Sequence, residues 1–358
     1  EAMSSPPTVH ATTASQGASL LAVPQSGKVR VRVEPNGRVT TNFPNRIDFP
    51  DVSKRWLQEN APQLWCPPEG PALKQRFSWA LNLLADPDDY RHALIWQDEA
   101  IAPDIPVFNH PRAVAQSRRD LSAQRLAGVP GLVVPPCVRF SADSRAAFEQ
   151  AFADHGLRYP VLIRPCSTQG GIGQLRIDSA AGWEAAVNSR WFGQPHFMVQ
   201  FEDSQTADGI YYKARVVFVG DQAFVRHVKA STVWQVHNRG SGRVSDDREL
   251  EIVAKVEASA TFRAICAAVA SRTRLDLCGM DLGVDPARDR FVLFECNPSM
   301  SVFFPPRPEH TPAQVERRAR LQAPVERAVD ALLRDPRAWA ASRQGVQDLP
   351  TVRAALAD

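Results

Sequence analysis

The sequence predicts a mixed fold of α/β or α+β units packed side by side. Three observations carry this reading. Helical and strand-like spacings alternate early in the chain, whereas later strands follow one another as hairpins. The chain has 358 residues, 44% of them hydrophobic, enough for two or three compact units with real cores. Residues 280–301, MDLGVDPARDRFVLFECNPSMS, read as a hairpin with one apolar face and one face of oxygen-bearing side chains.

The elements follow in order. Residues 1–25 lack an apolar pattern and are expected to form a disordered lead-in. Val29, Val31, Val33 and Val39 alternate around Asn36-Gly37, the signature of a hairpin with a type I′ turn. Leu73, Phe77, Leu81 and Leu84 recur at helical intervals, which predicts a helix over 71–85 opened by Pro71. Residues 92–96 and 107–108 are short apolar strand candidates, and a helix is expected over 111–127, stopped by Gly128. Leu132, Val133 and Val134 form a strand ended by two prolines, and Ser141 is expected to cap a helix reaching about His155. Strands at 159–165 and 174–177 flank a glycine-rich loop. A helix at 180–188 follows, then strands at 197–201, 214–219 and 223–229. One long amphipathic helix is expected over 248–271, and a closing helix over 314–333.

Composition excludes some classes of function. Net charge is +3, from 42 basic and 39 acidic residues, too balanced to argue for nucleic acid or an anionic membrane. No apolar run approaches the roughly 18 residues of a membrane span, and no basic segment precedes an apolar stretch at the N-terminus as in a secretory signal. The six cysteines form no C-x-x-C and fit neither a zinc site nor a disulfide framework. They are expected to be buried thiols of a protein in a reducing cytoplasm.

The chemistry is concentrated in a few segments. In the 280–301 hairpin, Glu295 and Asn297 are two apart on one strand, so they share a face. With the turn centred near Arg288, Asp281 lies opposite Glu295. Met280, Leu282, Val284, Val292, Phe294 and Cys296 then form the apolar back face. Two carboxylates and an amide oxygen on a wet face suit Mg²⁺, with phosphate oxygens completing its shell. Upstream, an apolar strand ends in Arg164 and runs into Gly170, Gly171 and Gly173. A cation followed by a loop rich in backbone N–H groups can hold a polyphosphate, although a simple glycine turn would read the same way. Lys213 and Arg215 share a strand face, and His227, Lys229, Trp234 and His237 lie beyond them. There is no Walker A sequence and no G-x-G-x-x-G.

Taken together, these segments resemble the ATP-grasp superfamily over roughly residues 115–310. Upstream, Ala85-Asp-Pro, then Pro106-Val-Phe-Asn109-His-Pro-Arg-Ala-Val and Arg119-Asp120, resemble the preceding domain and first helix of glutathione-synthetase-type members. The resemblance implies an ATP-grasp fold, two α+β subdomains sandwiching ATP, preceded by a smaller α/β domain. It divides the chain into an N-terminal domain at 26–112, a subdomain with the glycine-rich lid at 113–195, a subdomain with the metal site at 196–335, and a C-terminal tail at 336–358. It implies ATP phosphate contacts from Arg119 and Arg164, with Lys213 also on the nucleotide, and a lid at Gly170, Gly171 and Gly173. Gln200 and Phe201 would lie at the adenine hinge and Asp208 at the ribose. Arg215 would steady the transferred phosphate, His227 or His237 would take a proton from an amine, and Asp281, Glu295 and Asn297 would hold Mg²⁺. Arginine stands at 119 and 164 where family members commonly have lysine, and Gln200 where glutamate is frequent. The implied reaction is ATP-dependent carboxylate–amine ligation through an acyl-phosphate, with small-molecule or peptide substrates. A kinase-like phosphotransferase and a non-catalytic nucleotide-binding module are the alternatives. A homodimer is the default assembly.

Overall fold

The computed structural model describes residues 16–27, 29–33, 37, 39–43, 46–66, 77–236, 246–304, 311–339, 345 and 348–357. The first unit is a parallel sheet. Its strands β1 (Gly17–Leu21), β4 (Gln63–Trp65), β5 (Trp79–Asn82) and β6 (Val107–Phe108) lie in the order β4-β1-β5-β6. Strand β1 falls within the expected lead-in but is buried along its whole length. Strand β5 and the segment after it replace the helix expected over 71–85, of which 71–76 lie outside the described residues. The cause is common to both. A parallel strand covered on both faces is continuously apolar, with no alternation to mark it. The reverse holds at 92–96, where helix α2 (Arg91–Ala100) buries Ala93, Leu94 and Ile95, and a short apolar run cannot be told from a strand.

Strands β2 (Arg30–Val33) and β3 (Val39–Asn42) pair as expected, with Val33 opposite Val39, and Asn36 of the expected type I′ turn lies outside the described residues. Helix α1 (Asp51–Asn60) packs between β1 and the closing helix. The helix expected over 111–127 is two, α3 (Pro111–Ala115) and α4 (Arg119–Leu126). Ser117 Oγ bonds the Val114 carbonyl at 2.7 Å, and the break leaves Arg118 and Arg119 at the start of α4.

The second unit is an antiparallel sheet in the order β10-β9-β11-β8, made of β8 (Cys137–Ser141), β9 (Val161–Pro165), β10 (Leu175–Ile177) and β11 (Pro195–Gln200). Ser141 ends a strand rather than capping a helix. Ser144 is the cap of α5 (Arg145–Asp154), accepting from Ala147 N at 3.1 Å. Helix α6 (Trp183–Val187) covers the same face, and Phe148 and Trp183 fill the core between them.

The third unit is a five-stranded sheet in the order β13-β12-β14-β15-β7. It comprises β7 (Leu132–Val133), β12 (Tyr211–Val219), β13 (Gln222–Ser231), β14 (Leu277–Asp285) and β15 (Arg290–Asn297). The single helix expected over 248–271 is split into α7 (Asp246–Ala258) and α8 (Ala260–Thr273). Ser259 caps the second by accepting from Phe262 N at 2.9 Å. Helix α9 (Pro312–Leu333) closes the far side, and α10 (Val352–Ala355) packs against α2 and α3 within the segment expected to be a tail. Among the described residues, no helix is long and apolar enough to cross a membrane.

Asn109 joins the first and third units. It is fully buried, with φ +48, a left-handed conformation that asparagine tolerates. Its side-chain oxygen accepts from the backbone N–H of Asp276 and Leu277 at 2.7 and 3.0 Å. Its amide donates to the Leu277 carbonyl at 2.8 Å, and its backbone N–H donates to Asp276 Oδ2 at 2.7 Å. Asn109→Ala strands two buried N–H groups and a carbonyl. It should lower unfolding stability by about 3 kcal/mol, checked by urea denaturation; a change within 0.5 kcal/mol would show that the junction does not depend on this side chain.

Candidate active site

Strand β15 lines a cleft through residues 293–297, and β14 lies beside it in the sheet. Asp285 closes the turn between them by accepting from Ala287 and Arg288 N–H, and the expected pairing holds: Asp281 is opposite Glu295, and Gly279 opposite Asn297. One part of the expected pattern does not hold. The register slips between Asp281 and Leu282, so that Leu282 meets Leu293 and Phe294 is an extra residue. The bulge reverses the parity of the strand. Phe291, Leu293 and Cys296 join the back-face core with Met280, Leu282 and Val284. Phe294, expected on that back face, instead lines the cleft, its ring so close over Gly283 that a side chain there would collide with it. Val292 pairs with Gly283 and also leaves the back face.

The pairing sets a polar row across four strands: His227, Arg215, Asp281 and Glu295 are consecutive partners from β13 to β15. Lys229 and Lys213 form the start of the next row. Asp281 is only 4% exposed. Arg215 grips it through Nε at 2.7 Å and Nη2 at 2.8 Å, and Lys213 Nζ lies at 3.0 Å. Burial pushes its pKa up, but the Arg215 and Lys213 charges outweigh burial and hold it well below the usual carboxylate range. Glu295 meets Arg119, which also donates to the Phe294 carbonyl at 2.6 Å, and Arg164 Nη1 stands 3.9 Å from the same carboxylate oxygen. Burial and the nearby Arg119 charge pull the Arg164 pKa down to about 10. Arg119, Arg164, Glu295 and Asn297 all line the cleft.

The remaining expected residues fall less neatly. The Arg164 guanidinium also donates to the Thr168 carbonyl, and Ser167, Thr168 and Gln169 line the cleft beside it. Gly170, Gly171 and Gly173 continue that loop with φ of 64°, 72° and 73°, and a Cβ at Gly173 would collide with Trp191 and Pro165. Gln200 is buried and turned to the backbone of Arg158 and Pro160, so its amide serves the fold, whereas its neighbour Val199 lines the cleft. Phe201 lies under the Arg176 guanidinium at 4.4 Å. Asp208 sits apart in an exposed turn, bonded by Thr206 Oγ1, which lowers its pKa. The His227 Nε2 is buried with no hydrogen-bond partner among the described residues. Burial, then the Arg215 and Lys229 charges, keep its pKa well below 6.5. His237 lies outside the described residues.

The sequence reading missed the wall contributed by the first unit. Gln25 follows β1, Asp86 and Asp88 follow β5, and Arg118 lies beyond β6, so the carboxyl ends of its parallel strands point toward the cleft. Asp86 accepts from the N–H groups of Asp88 and Asp89, yet burial and those two neighbouring carboxylates push it up to about 7. The Asp-Pro-Asp-Asp run at 86–89 was the available signal.

No protein-family model matches the sequence, and no curated protein matches it. The chain is similar to ATP-grasp proteins of known structure. One is a RimK-domain ATP-grasp protein from Sphaerobacter thermophilus, at 13% identity, TM-score 0.47, covering 89% of this chain and 100% of that one. Another is the D-alanine-D-alanine ligase from Coxiella burnetii, at 11% identity, TM-score 0.46, covering 93% and 97%. A third is the ATP-grasp ligase PsnB, complexed with a precursor peptide and AMPPNP, at 15% identity, TM-score 0.42, covering 90% and 99%.

The Asp281 ion pairs have a pH signature. A carboxylate held below its unfolded value adds stability that is complete above pH ~4 and is lost as pH falls through the folded value. Asp281→Asn should therefore flatten the acid limb of the melting temperature between about pH 4 and 2.5. At pH 7 it should cost roughly 3–5 kcal/mol, because Arg215 and Lys213 are left uncompensated. Parallel acid limbs in the two proteins would count against this assignment.

Proposed function

We propose that the chain is an ATP-grasp, ATP- and Mg²⁺-dependent carboxylate–amine ligase that works through an acyl-phosphate. The observation that carries this reading is the charge of the cleft and of the sheet beside it. Arg119, Arg164, Lys213, Arg215 and Lys229 gather around Asp281 and Glu295, and Arg118, Asp86 and Asp88 add to the cleft lining. Six cations against four carboxylates suit a polyphosphate, which arginine forks and a lysine point charge can bind together.

The donor set also fits a hard cation. Asp281 offers about four lone-pair positions and spends three on Arg215 and Lys213. Glu295 makes both its contacts through Oε2, which leaves Oε1, and Asn297 adds an amide oxygen. Asp281, Glu295 and Asn297 would hold Mg²⁺, which when bound would neutralise charge on the phosphoryl group being transferred.

The protein groups then divide the work. The carboxylate of the acid substrate attacks the γ-phosphorus and displaces ADP, and an amine displaces phosphate from the acyl-phosphate to form the amide. Arg164 and Arg215 orient the transferring group and stabilise its charge. The Ser167–Gly173 loop and Phe294 exclude water, which would hydrolyse an acyl-phosphate. His227 stays neutral near pH 7, so it suits accepting a hydrogen bond from the amine better than storing its proton.

Glu295→Ala should weaken Mg²⁺-dependent AMPPNP binding by about 100-fold, a loss of about 2.7 kcal/mol, by titration calorimetry, with the fold retained because the side chain faces the cleft. Unchanged affinity would remove the proposed site. In wild type, ADP release should require an acid and an amine together. Phosphate retained on the product would identify a phosphotransferase, and tight binding without turnover a non-catalytic module.

A further inference from the structure

A second pocket opens beside the cleft, between the strand ends of the first unit and strand β8 of the second. Its walls include Gln25, Asp88, Arg91, Arg118 and Arg139, and it shares Asp88 and Arg118 with the cleft. Three guanidiniums thus gather at the pocket, with Asp88 in its lining and Asp120 behind Arg118. Arg118 is nine-tenths buried and rests on Asp120 through Nε at 2.8 Å and Nη2 at 3.0 Å. A guanidinium has five N–H donors, so three of its donors remain for another acceptor. Arg139 Nε reaches Asp88 Oδ1 at 3.2 Å, which ties β8 to the loop after β5. Arg91 is the first residue of α2, where the helix dipole also favours an anion. The Gln25 backbone N–H donates to the Asp89 carbonyl at 2.7 Å, which fixes the remaining wall. Positioned arginines of this kind match the planar or tetrahedral oxygens of a carboxylate or a phosphate.

We infer that this pocket is a specificity subsite, and that the substrate held in the adjoining cleft carries a second anionic group, a carboxylate or a phosphate, remote from the carboxylate that reacts. The inference rests on the ligase reading for the reacting end of the substrate. The subsite itself follows from the arginine geometry. A substrate with only its reacting carboxylate would leave the pocket with solvent alone.

The test uses the full chain and three probes: glutarate, butyrate and inorganic phosphate, titrated calorimetrically without nucleotide. Saturable binding of glutarate or phosphate, with none for butyrate, is expected. Glutarate alone would name a dicarboxylate substrate, and phosphate alone a phosphorylated one. The Arg91→Ala, Arg139→Ala double variant should bind the favoured probe about tenfold more weakly, while Arg139→Lys keeps most of the affinity. Arg118 is left intact, because removing it would strand buried Asp120. Should the double variant fail to fold, Arg91→Gln, at the start of α2, carries the same expectation in smaller measure. Binding of the favoured probe should survive Glu295→Ala. Loss of AMPPNP affinity in wild type with anion binding intact would defeat the ligase reading and leave the subsite standing. No saturable binding of glutarate or phosphate to wild type, or equal binding by wild type and the folded variants, would overturn the subsite.

Discussion

The architecture of the cleft depends on one buried carboxylate. Strand pairing places Lys213 opposite Lys229, with Arg215 two residues further along the same strand, so without a counter-charge the sheet would crowd like charges together. Asp281, on the next strand over, answers two of them at hydrogen-bond distance. The same interaction aims the Arg215 fork along the sheet, where its Nη1 also donates to the Ser301 carbonyl at 3.3 Å. One side chain thus serves both the stability of the sheet and the orientation of Arg215.

The other walls come from chain segments far away in sequence. Arg119 starts a helix that exists because the chain breaks at Gln116–Arg118, and it reaches across to Glu295. Arg164 arrives from a different sheet and meets the same oxygen from the other side. Two cations brought to one carboxylate from separate elements mean that their charges are not cancelled there, and the surplus is what a polyphosphate would neutralise.

The β14–β15 hairpin was legible because its signals are local. Alternation, a turn and a two-residue spacing fixed the pairing of Asp281 with Glu295. The same alternation misplaced Phe294, since a bulge is a property of the strand pair and leaves no mark on one strand alone. Strands β1 and β5 were missed because burial on both faces erases the period-two pattern, and α2 was mistaken for a strand because only five of its residues look apolar. Gln200 shows a different limit. Its position next to the cleft was readable, but the direction of its amide is decided by Arg158 and Pro160, some forty residues earlier. The wall formed by Asp86, Asp88 and Arg118 required the parallel order of the first sheet, which no single segment encodes.

The buried junction at Asn109 has a consequence for motion. It locks the parallel sheet to the five-stranded sheet through backbone groups of Asp276 and Leu277, so these two parts turn as a single frame. The four-stranded antiparallel sheet is fastened to that frame by two largely buried ion pairs, Arg139 with Asp88 and Arg164 with Glu295, and by the packing of α4 on β8. Any displacement of this sheet against the frame would part Arg164 from Glu295 and Arg139 from Asp88 together.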